Sequence, residues 1–108
     1  MQHRWLLTLV LCAPVLAWAG DDEAKFALGK RLFIGGAVPA CAVCHTLKDA
    51  GSEGAIGPVL DELQPDAARV AQALRTGLGA MPAYGEKLTE VQIDALAYYV
   101  SRASGATR

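Results

Sequence analysis

Cys41-Ala42-Val43-Cys44-His45, a C-x-x-C-H stretch, is the part of the sequence that decides the fold. Two cysteines three positions apart on a helical turn can each add to one vinyl group of the same haem, which forms two thioethers. The histidine that follows is then directed at the iron from one face. The motif therefore predicts one covalently attached haem c, with thioethers at Cys41 and Cys44 and with His45 as an axial iron ligand.

Met81 stands in a glycine-rich stretch, Gly77-Leu78-Gly79-Ala80-Met81-Pro82. Its thioether is a soft ligand suited to haem iron, and a His/Met pair raises the reduction potential of the haem. The competing interpretation is that Met81 fills a gap in the core, as methionine does in many proteins. Because Met81 follows the C-x-x-C-H motif and is the only methionine in residues 20–108, we predict that it is the second axial ligand.

The N-terminal residues have the pattern of a secretory signal peptide. Met1–Arg4 is short and basic, Trp5–Leu16 is almost wholly apolar, and Ala17-Trp18-Ala19 has small residues at the two positions that a signal peptidase recognises. An uncleaved membrane anchor is the alternative, but the apolar run is shorter than the roughly 20 residues that a spanning helix needs. We therefore predict a cleaved signal peptide over residues 1–19 and a periplasmic domain over residues 20–108, without stable membrane insertion.

Three other kinds of site are compatible with two closely spaced cysteines. A structural disulfide between Cys41 and Cys44 would close a very short loop, and the stabilisation from a disulfide grows with loop length. A thioredoxin-like redox pair requires a strand followed by a helix, a pattern that this chain lacks. A structural zinc ion needs four ligands, whereas residues 20–108 contain only two cysteines and one histidine. Covalent haem is the favoured interpretation, and export agrees with it because c-type haem is attached outside the cytoplasm.

The composition is that of one small folded domain. The chain has 108 residues, of which 53% are hydrophobic and 19% are charged, and its formal net charge is −1. These values exclude a disordered tail. They also leave no basic stripe for a phosphate backbone, so nucleic acid is not an expected partner.

Helix signals recur along the chain and strand signals do not. We predict three helices: from Asp21 or Asp22 to about Ile34, from Pro65-Asp66 to Gly77, and from the Thr89–Gln92 capping box through Val100. The pair Gly35-Gly36 is expected to end the first helix. Because no segment alternates apolar and polar residues, the predicted fold class is all-α.

A long loop separates the first two helices. Lys48–Leu63 contains three glycines and one proline and would not support itself as regular structure. A loop of this length in a small domain is typical of disorder or of a segment that wraps around a ligand.

Five segments together resemble the class I c-type cytochromes, and the resemblance covers essentially all of residues 20–108. They are Gly29–Phe33 in the first helix, the haem motif Cys41–His45, Gly57-Pro58-Val59-Leu60, Met81-Pro82, and Leu96–Val100 in the last helix. The resemblance implies the class I cytochrome c fold, in which three or more helices and long loops wrap around one covalently bound haem. Residues 20–108 are then the cytochrome c domain.

The resemblance also assigns roles to individual residues. It implies thioethers at Cys41 and Cys44, iron ligation by His45 and Met81, and a carbonyl of Pro58 that accepts a hydrogen bond from His45.

Two further expectations concern the helix crossing and the haem carboxylates. The resemblance implies that Gly29 and Phe33 pack against Leu96 and Tyr99 where the first and last helices cross. Small bacterial members often place a tryptophan near the haem propionates, but residues 20–108 contain none. Arg69 and Arg75 are the candidates for holding the propionates, and solvated surface positions are the alternative for both.

The predicted ligands determine the expected function. With both axial positions filled, the iron has no open site for a substrate, so we predict a single-electron carrier and not an enzyme. The alternative is a haem sensor or peroxidase-like protein in which Met81 is displaced and the sixth site is open. We expect five apolar residues to bury the haem: Ile56, Val59, Leu60, Leu63 and Leu74. Their burial of the haem would favour a positive reduction potential.

A finer similarity concerns the electron donor. Ala37–Cys41, His45–Gly51 and Pro58–Leu63 are similar to segments of small periplasmic cytochromes that accept electrons from sulfite dehydrogenases. This similarity implies a sulfite dehydrogenase as the donor and a downstream acceptor such as a terminal oxidase. A general respiratory electron shuttle without a dedicated dehydrogenase is the alternative.

Overall fold

The computed structural model describes residues 5–12 and 16–107, and for residues 16–19 it describes the backbone only. Within these residues the α-helices are α1 (Leu16–Arg31), α2 (Cys41–Cys44), α3 (Leu60–Leu63), α4 (Ala67–Thr76) and α5 (Glu90–Ala103). A π-helical turn (Leu32–Gly36) extends α1, a 3₁₀ turn spans Lys48–Ala50, and two short strands are β1 (Thr46–Leu47) and β2 (Ser52–Glu53). The predicted all-α class is confirmed.

The helix α1 begins earlier than the sequence predicted. The expected start at Asp21 or Asp22 is wrong for this chain, because the helix begins at Leu16 and both aspartates lie inside it. Residues 16–20 include two alanines, and alanine is the strongest helix former. The predicted stop at Gly35-Gly36 is confirmed, since the π-helical turn ends there.

The predicted signal peptide overlaps the start of α1. Its residues 1–4 and 13–15 lie outside the described part of the chain, and its cleavage therefore stays a prediction. In residues 5–12 and 16–107, no helix is both long enough and apolar enough to cross a bilayer.

The helices α1 and α5 cross at Gly29. A Cβ atom on Gly29 would collide with the backbone carbonyl of Ala95 and would lie 2.5 Å from Cβ of Tyr99, so only glycine allows this close approach. The Tyr99 ring is fully buried, and the Phe26 and Phe33 rings meet it edge-on, with centroids 4.9 and 5.8 Å away. Gly29 and Phe33 therefore both pack against Tyr99, as the resemblance implied.

The Tyr99 hydroxyl also connects this crossing to the turn that follows β1. It donates a hydrogen bond to Oδ2 of Asp49 at 2.7 Å, and Nζ of Lys30 lies 3.3 Å from the same oxygen. Burial, together with the Asp49 carboxylate, raises the pKa of Tyr99 well above its usual range. The hydroxyl therefore remains a donor at neutral pH and ties α1, α5 and the 3₁₀ turn together.

The helices α4 and α5 begin where the sequence predicted. Asp66 caps α4 by accepting a hydrogen bond from the Arg69 N–H at 2.8 Å, and Gly77, whose φ is 72°, follows the last helical residue, Thr76. Thr89 and Gln92 form both hydrogen bonds of the capping box at 2.9 and 3.2 Å. These local capping signals were sufficient to place both helices.

The segment Lys48–Leu63 has more structure than the sequence predicted. It contains the 3₁₀ turn, β2 and α3, and β2 pairs antiparallel with β1. The buried Ser52 holds the hairpin together, because its Oγ accepts a hydrogen bond from the Leu47 N–H at 3.0 Å and donates one to the His45 carbonyl at 2.9 Å. Strands of two residues are too short to show an alternating pattern, which is why the sequence did not reveal them.

We predict that Gly29→Ala destabilises the protein by roughly 1–3 kcal/mol, because the added methyl group overpacks the α1–α5 crossing. The measurement is guanidinium unfolding of the haem-loaded protein, followed by far-ultraviolet circular dichroism. Gly35→Ala is the matched control, since a Cβ at Gly35 meets nothing within 4 Å; we expect a change of about 0.5 kcal/mol or less there. Equal effects of the two substitutions would contradict the tight crossing.

Candidate functional site

One apolar cavity brings together the chemistry that the sequence singled out. Its volume is about 310 Å³, and residues from α2 to α5 and from the loop after α4 line it. The C-x-x-C-H segment contributes three side chains to the lining, those of Cys41, Cys44 and His45. The loop that follows α4 contributes Met81. The fold therefore joins two candidate ligand segments that are distant along the chain.

The imidazole of His45 is held by the segment that follows the hairpin. Its Nδ1 lies 2.8 Å from the carbonyl oxygen of Pro58, and since a carbonyl only accepts, Nδ1 is the nitrogen that donates. A Cβ on Gly57 would lie 2.6 Å from Cε1 of His45, so the ring rests directly on the Gly57 backbone. This arrangement leaves Nε2 as the nitrogen free to bind a metal.

The backbone around the two cysteines is packed equally tightly. The Gly57 N–H donates to the Cys44 carbonyl at 2.7 Å, and a Cβ on Gly54 would lie 2.6 Å from the Cys44 carbonyl carbon. The Thr46 hydroxyl donates to the Gly54 carbonyl at 2.9 Å. Sequence reasoning treated these glycines as a permissive loop and missed Ser52, because only the folded hairpin shows which backbone segments touch.

The loop that carries Met81 is closed on itself. Leu78 and Met81 exchange two backbone hydrogen bonds, of 3.1 and 3.0 Å. Gly77, with φ of 72°, lies so close that an added Cβ would be 2.9 Å from the Met81 carbonyl oxygen. The methionine therefore stands on a tight loop with a defined shape.

Tyr84 lines the cavity and is not among the residues predicted from the sequence. Its side chain is buried, its hydroxyl donates to the Pro39 carbonyl at 2.6 Å, and burial raises the pKa of Tyr84. Across the cavity lining, burial also raises the pKa of Cys41 to about 11, so both groups are neutral at neutral pH. The one feature of the sequence that could have indicated Tyr84 as a site residue is its position, an aromatic residue three positions after Met81.

The apolar lining agrees with the sequence in four positions of five. Ile56, Leu60, Leu63 and Leu74 line the cavity, and Val59 does not, so the prediction for Val59 is wrong. Val59 has an extended backbone just before α3. Successive side chains of an extended segment point to opposite sides, which accounts for a lining that includes Pro58 and Leu60 but not the residue between them.

The structure separates the two candidate arginines. Arg69 lines the cavity, and it is the one Lys, Arg, Asp or Glu side chain among the lining residues. Arg75 points elsewhere, because its Nη2 lies 2.8 Å from Oε2 of Glu90 at the surface. That pairing lowers the pKa of Glu90. Only Arg69 is placed to meet a carboxylate of a group bound in the cavity.

The donor set and the apolar lining of the cavity fit a haem. Cys41 and Cys44 are free thiols, and with the imidazole and the thioether they face one apolar space. In residues 5–12 and 16–107, no group of three His, Cys, Asp or Glu side chains is arranged to hold a bare metal ion.

A helical fold that gathers a C-x-x-C-H segment and a methionine loop around one apolar cavity defines a c-type cytochrome. The chain belongs to the cytochrome c family described as "Cytochrome C oxidase, cbb3-type, subunit III", whose sequence pattern matches residues 24–100. It is also similar to a solved structure, the c-type cytochrome SorU from Sinorhizobium meliloti, with 52% identity and a TM-score of 0.74. The similarity covers 77% of this chain and 94% of that chain. None of the curated proteins compared matches this chain.

Family membership and the motif together establish the cofactor and the general role. The chain is a monohaem c-type cytochrome that binds one covalent haem c, and it is an electron-transfer protein and not an enzyme.

We predict that Arg69→Gln lowers the reduction potential by an amount on the order of tens of millivolts, because a nearby positive charge favours the ferrous haem. Arg69 is exposed to solvent, so the shift should shrink as salt is added. A spectroelectrochemical titration at low and high ionic strength measures both effects. Arg75→Gln, on the same helix but paired with Glu90, is the control and should leave the potential unchanged; matching shifts in the two variants would contradict the assignment of Arg69.

Proposed function

We propose that this cytochrome is a periplasmic single-electron carrier with His45 and Met81 as axial ligands, and that a sulfite dehydrogenase supplies its electrons. The observation that supports the ligand assignment most strongly is the shared cavity, which both side chains line together with Cys41 and Cys44. A thioether and an imidazole are the pair typical of electron-transfer haems with raised potentials.

Each residue near the iron has a distinct task in this proposal. The thiols of Cys41 and Cys44 attach the haem, and the Pro58 carbonyl orients His45 by accepting a hydrogen bond from its Nδ1–H, with an N–O distance of 2.8 Å. This hydrogen bond fixes the ring and increases the basicity of Nε2. When bound, the haem supplies a one-electron Fe(III)/Fe(II) couple.

The apolar lining contributes to the potential. Leu60 and Leu74 are buried, and with the other lining residues they keep water from the inner part of the cavity. A low dielectric disfavours the oxidation state with the larger net charge. This effect adds to that of the neutral thioether, so we expect a positive reduction potential.

Location and partners form the finer part of the proposal. The predicted signal peptide supports export to the periplasm. The three segments similar to sulfite-dehydrogenase cytochromes, and the 52% identity with SorU over 94% of its chain, support a small cytochrome with a dedicated donor. A downstream acceptor such as a terminal oxidase completes the route. Docking to each partner is transient, with a buried interface below about 1,200 Å².

We predict that Met81→Ala removes the thioether-to-iron charge-transfer band of the ferric protein and lowers its reduction potential, because the neutral sulfur ligand is lost. Visible spectroscopy of the oxidised protein and a redox titration provide the two readouts. A wild-type ferric spectrum that is high-spin, and that Met81→Ala leaves unchanged, would favour the haem sensor or peroxidase-like alternative.

The donor is tested with haem-loaded ferric protein and a periplasmic extract of the cells that produce it. We expect haem reduction to be fast only when extract and sulfite are both present. Sulfite alone, and heated extract with sulfite, control for direct chemical reduction, and dithionite confirms that the haem is redox-competent. Reduction by extract at the same rate without sulfite would exclude the dedicated donor and leave a general respiratory shuttle.

A further inference from the structure

The loop that carries Met81 is attached at both ends to α4. We call residues 77–84 the distal strap. Its first residue, Gly77, donates its N–H to the Ala73 carbonyl at 2.8 Å, and its last, Tyr84, donates its N–H to the Leu74 carbonyl at 2.6 Å. Both anchors therefore lie on one side of the cavity, at the C-terminal end of α4.

Hydrogen bonds within the distal strap determine its shape but not its position over the cavity. The two backbone bonds between Leu78 and Met81 close the loop on itself. The Leu78 side chain is 71% exposed, so it contributes little packing that would hold the loop down. Met81 itself packs against the buried core, and a further contact to the motif side of the cavity would hold the loop against opening.

The Tyr84 hydroxyl makes that contact. It donates to the Pro39 carbonyl at 2.6 Å, and Pro39 stands two residues before Cys41. Among the described residues, this is the one hydrogen bond between the distal strap and residues 37–58, the segment that contains the C-x-x-C-H motif. The tyrosine is only 4% exposed, so water does not compete freely for the bond.

We infer that Tyr84 is a positioning residue whose hydroxyl clamps the distal strap to the segment before Cys41 and thereby holds Met81 over the cavity. The inference rests on the proposed ligation by Met81. A thioether is a weak ligand, and an external base replaces it whenever the strap opens. The population of the open strap depends on local contacts of this kind, separately from global unfolding.

Tyr84→Phe tests the clamp, because it keeps the buried ring and removes only the hydroxyl. The probe is imidazole, which binds ferric haem in place of the thioether without any change of oxidation state. We expect the apparent affinity for imidazole to rise about five-fold, the effect of losing one neutral hydrogen bond. The loss of the thioether-to-iron band during the titration reports the exchange directly.

Tyr99→Phe is the matched control. It also removes one buried tyrosine hydroxyl, the donor to Asp49 at 2.7 Å, but Tyr99 does not line the cavity. We expect guanidinium unfolding to show a loss of global stability in Tyr99→Phe at least as large as in Tyr84→Phe, because the Tyr99 hydroxyl donates to a carboxylate. Only Tyr84→Phe should bind imidazole more tightly than the wild type.

Each other outcome has a defined meaning. Wild-type imidazole affinity in Tyr84→Phe, or an equal increase in Tyr99→Phe, would overturn the clamp while leaving ligation by Met81 intact. A Tyr84→Phe protein that does not take up haem would also count against it, because the hydroxyl would then serve global folding. A wild-type ferric protein without the thioether-to-iron band would instead contradict the proposed function.

Discussion

The contact between the His45 ring and the backbone of residues 57 and 58 is the constraint on which the site depends. Gly57 lies against the ring so closely that a Cβ would be 2.6 Å from Cε1, and the Pro58 carbonyl accepts a hydrogen bond from Nδ1 at 2.8 Å. To reach this position, the chain must turn back within a few residues of the motif. The β1–β2 hairpin makes that turn, and Ser52 connects it to the His45 carbonyl.

Two tyrosine hydroxyls hold the C-x-x-C-H segment from its two flanks. Tyr99 donates a hydrogen bond to Asp49, which follows the motif, and this bond connects the motif segment to the α1–α5 crossing. Tyr84 donates a hydrogen bond to the carbonyl of Pro39, which precedes the motif, and this bond connects the motif segment to the loop that carries Met81. Side-chain packing stabilises the helix crossing. Long-range hydrogen bonds then connect the motif segment to this crossing and to the loop that carries Met81.

The features that the sequence predicted are those with a local cause. The C-x-x-C-H motif, the cap at Asp66 and the capping box at Thr89 each act within a few residues, and all three lie where they were expected. The hydrogen bond of Tyr84 spans 45 positions, and no local pattern reveals it. The error at Val59 has the same origin, since the direction of a side chain in an extended loop depends on how the whole segment is held.

The two sides of the cavity differ in how firmly they are held, and this difference bears on function. On the His45 side, two glycines leave no space for a Cβ, and three side-chain hydrogen bonds connect the motif, the hairpin and the segment after the hairpin. On the Met81 side, backbone hydrogen bonds join the loop to itself and to α4, and among the described residues one hydroxyl joins it to the motif segment. An electron carrier and a ligand-binding haem protein could share the same residues and differ only in the population of the open loop. Under the proposed ligation by Met81, the strength of the contacts that hold this loop, more than the identity of the ligands, separates the two functions.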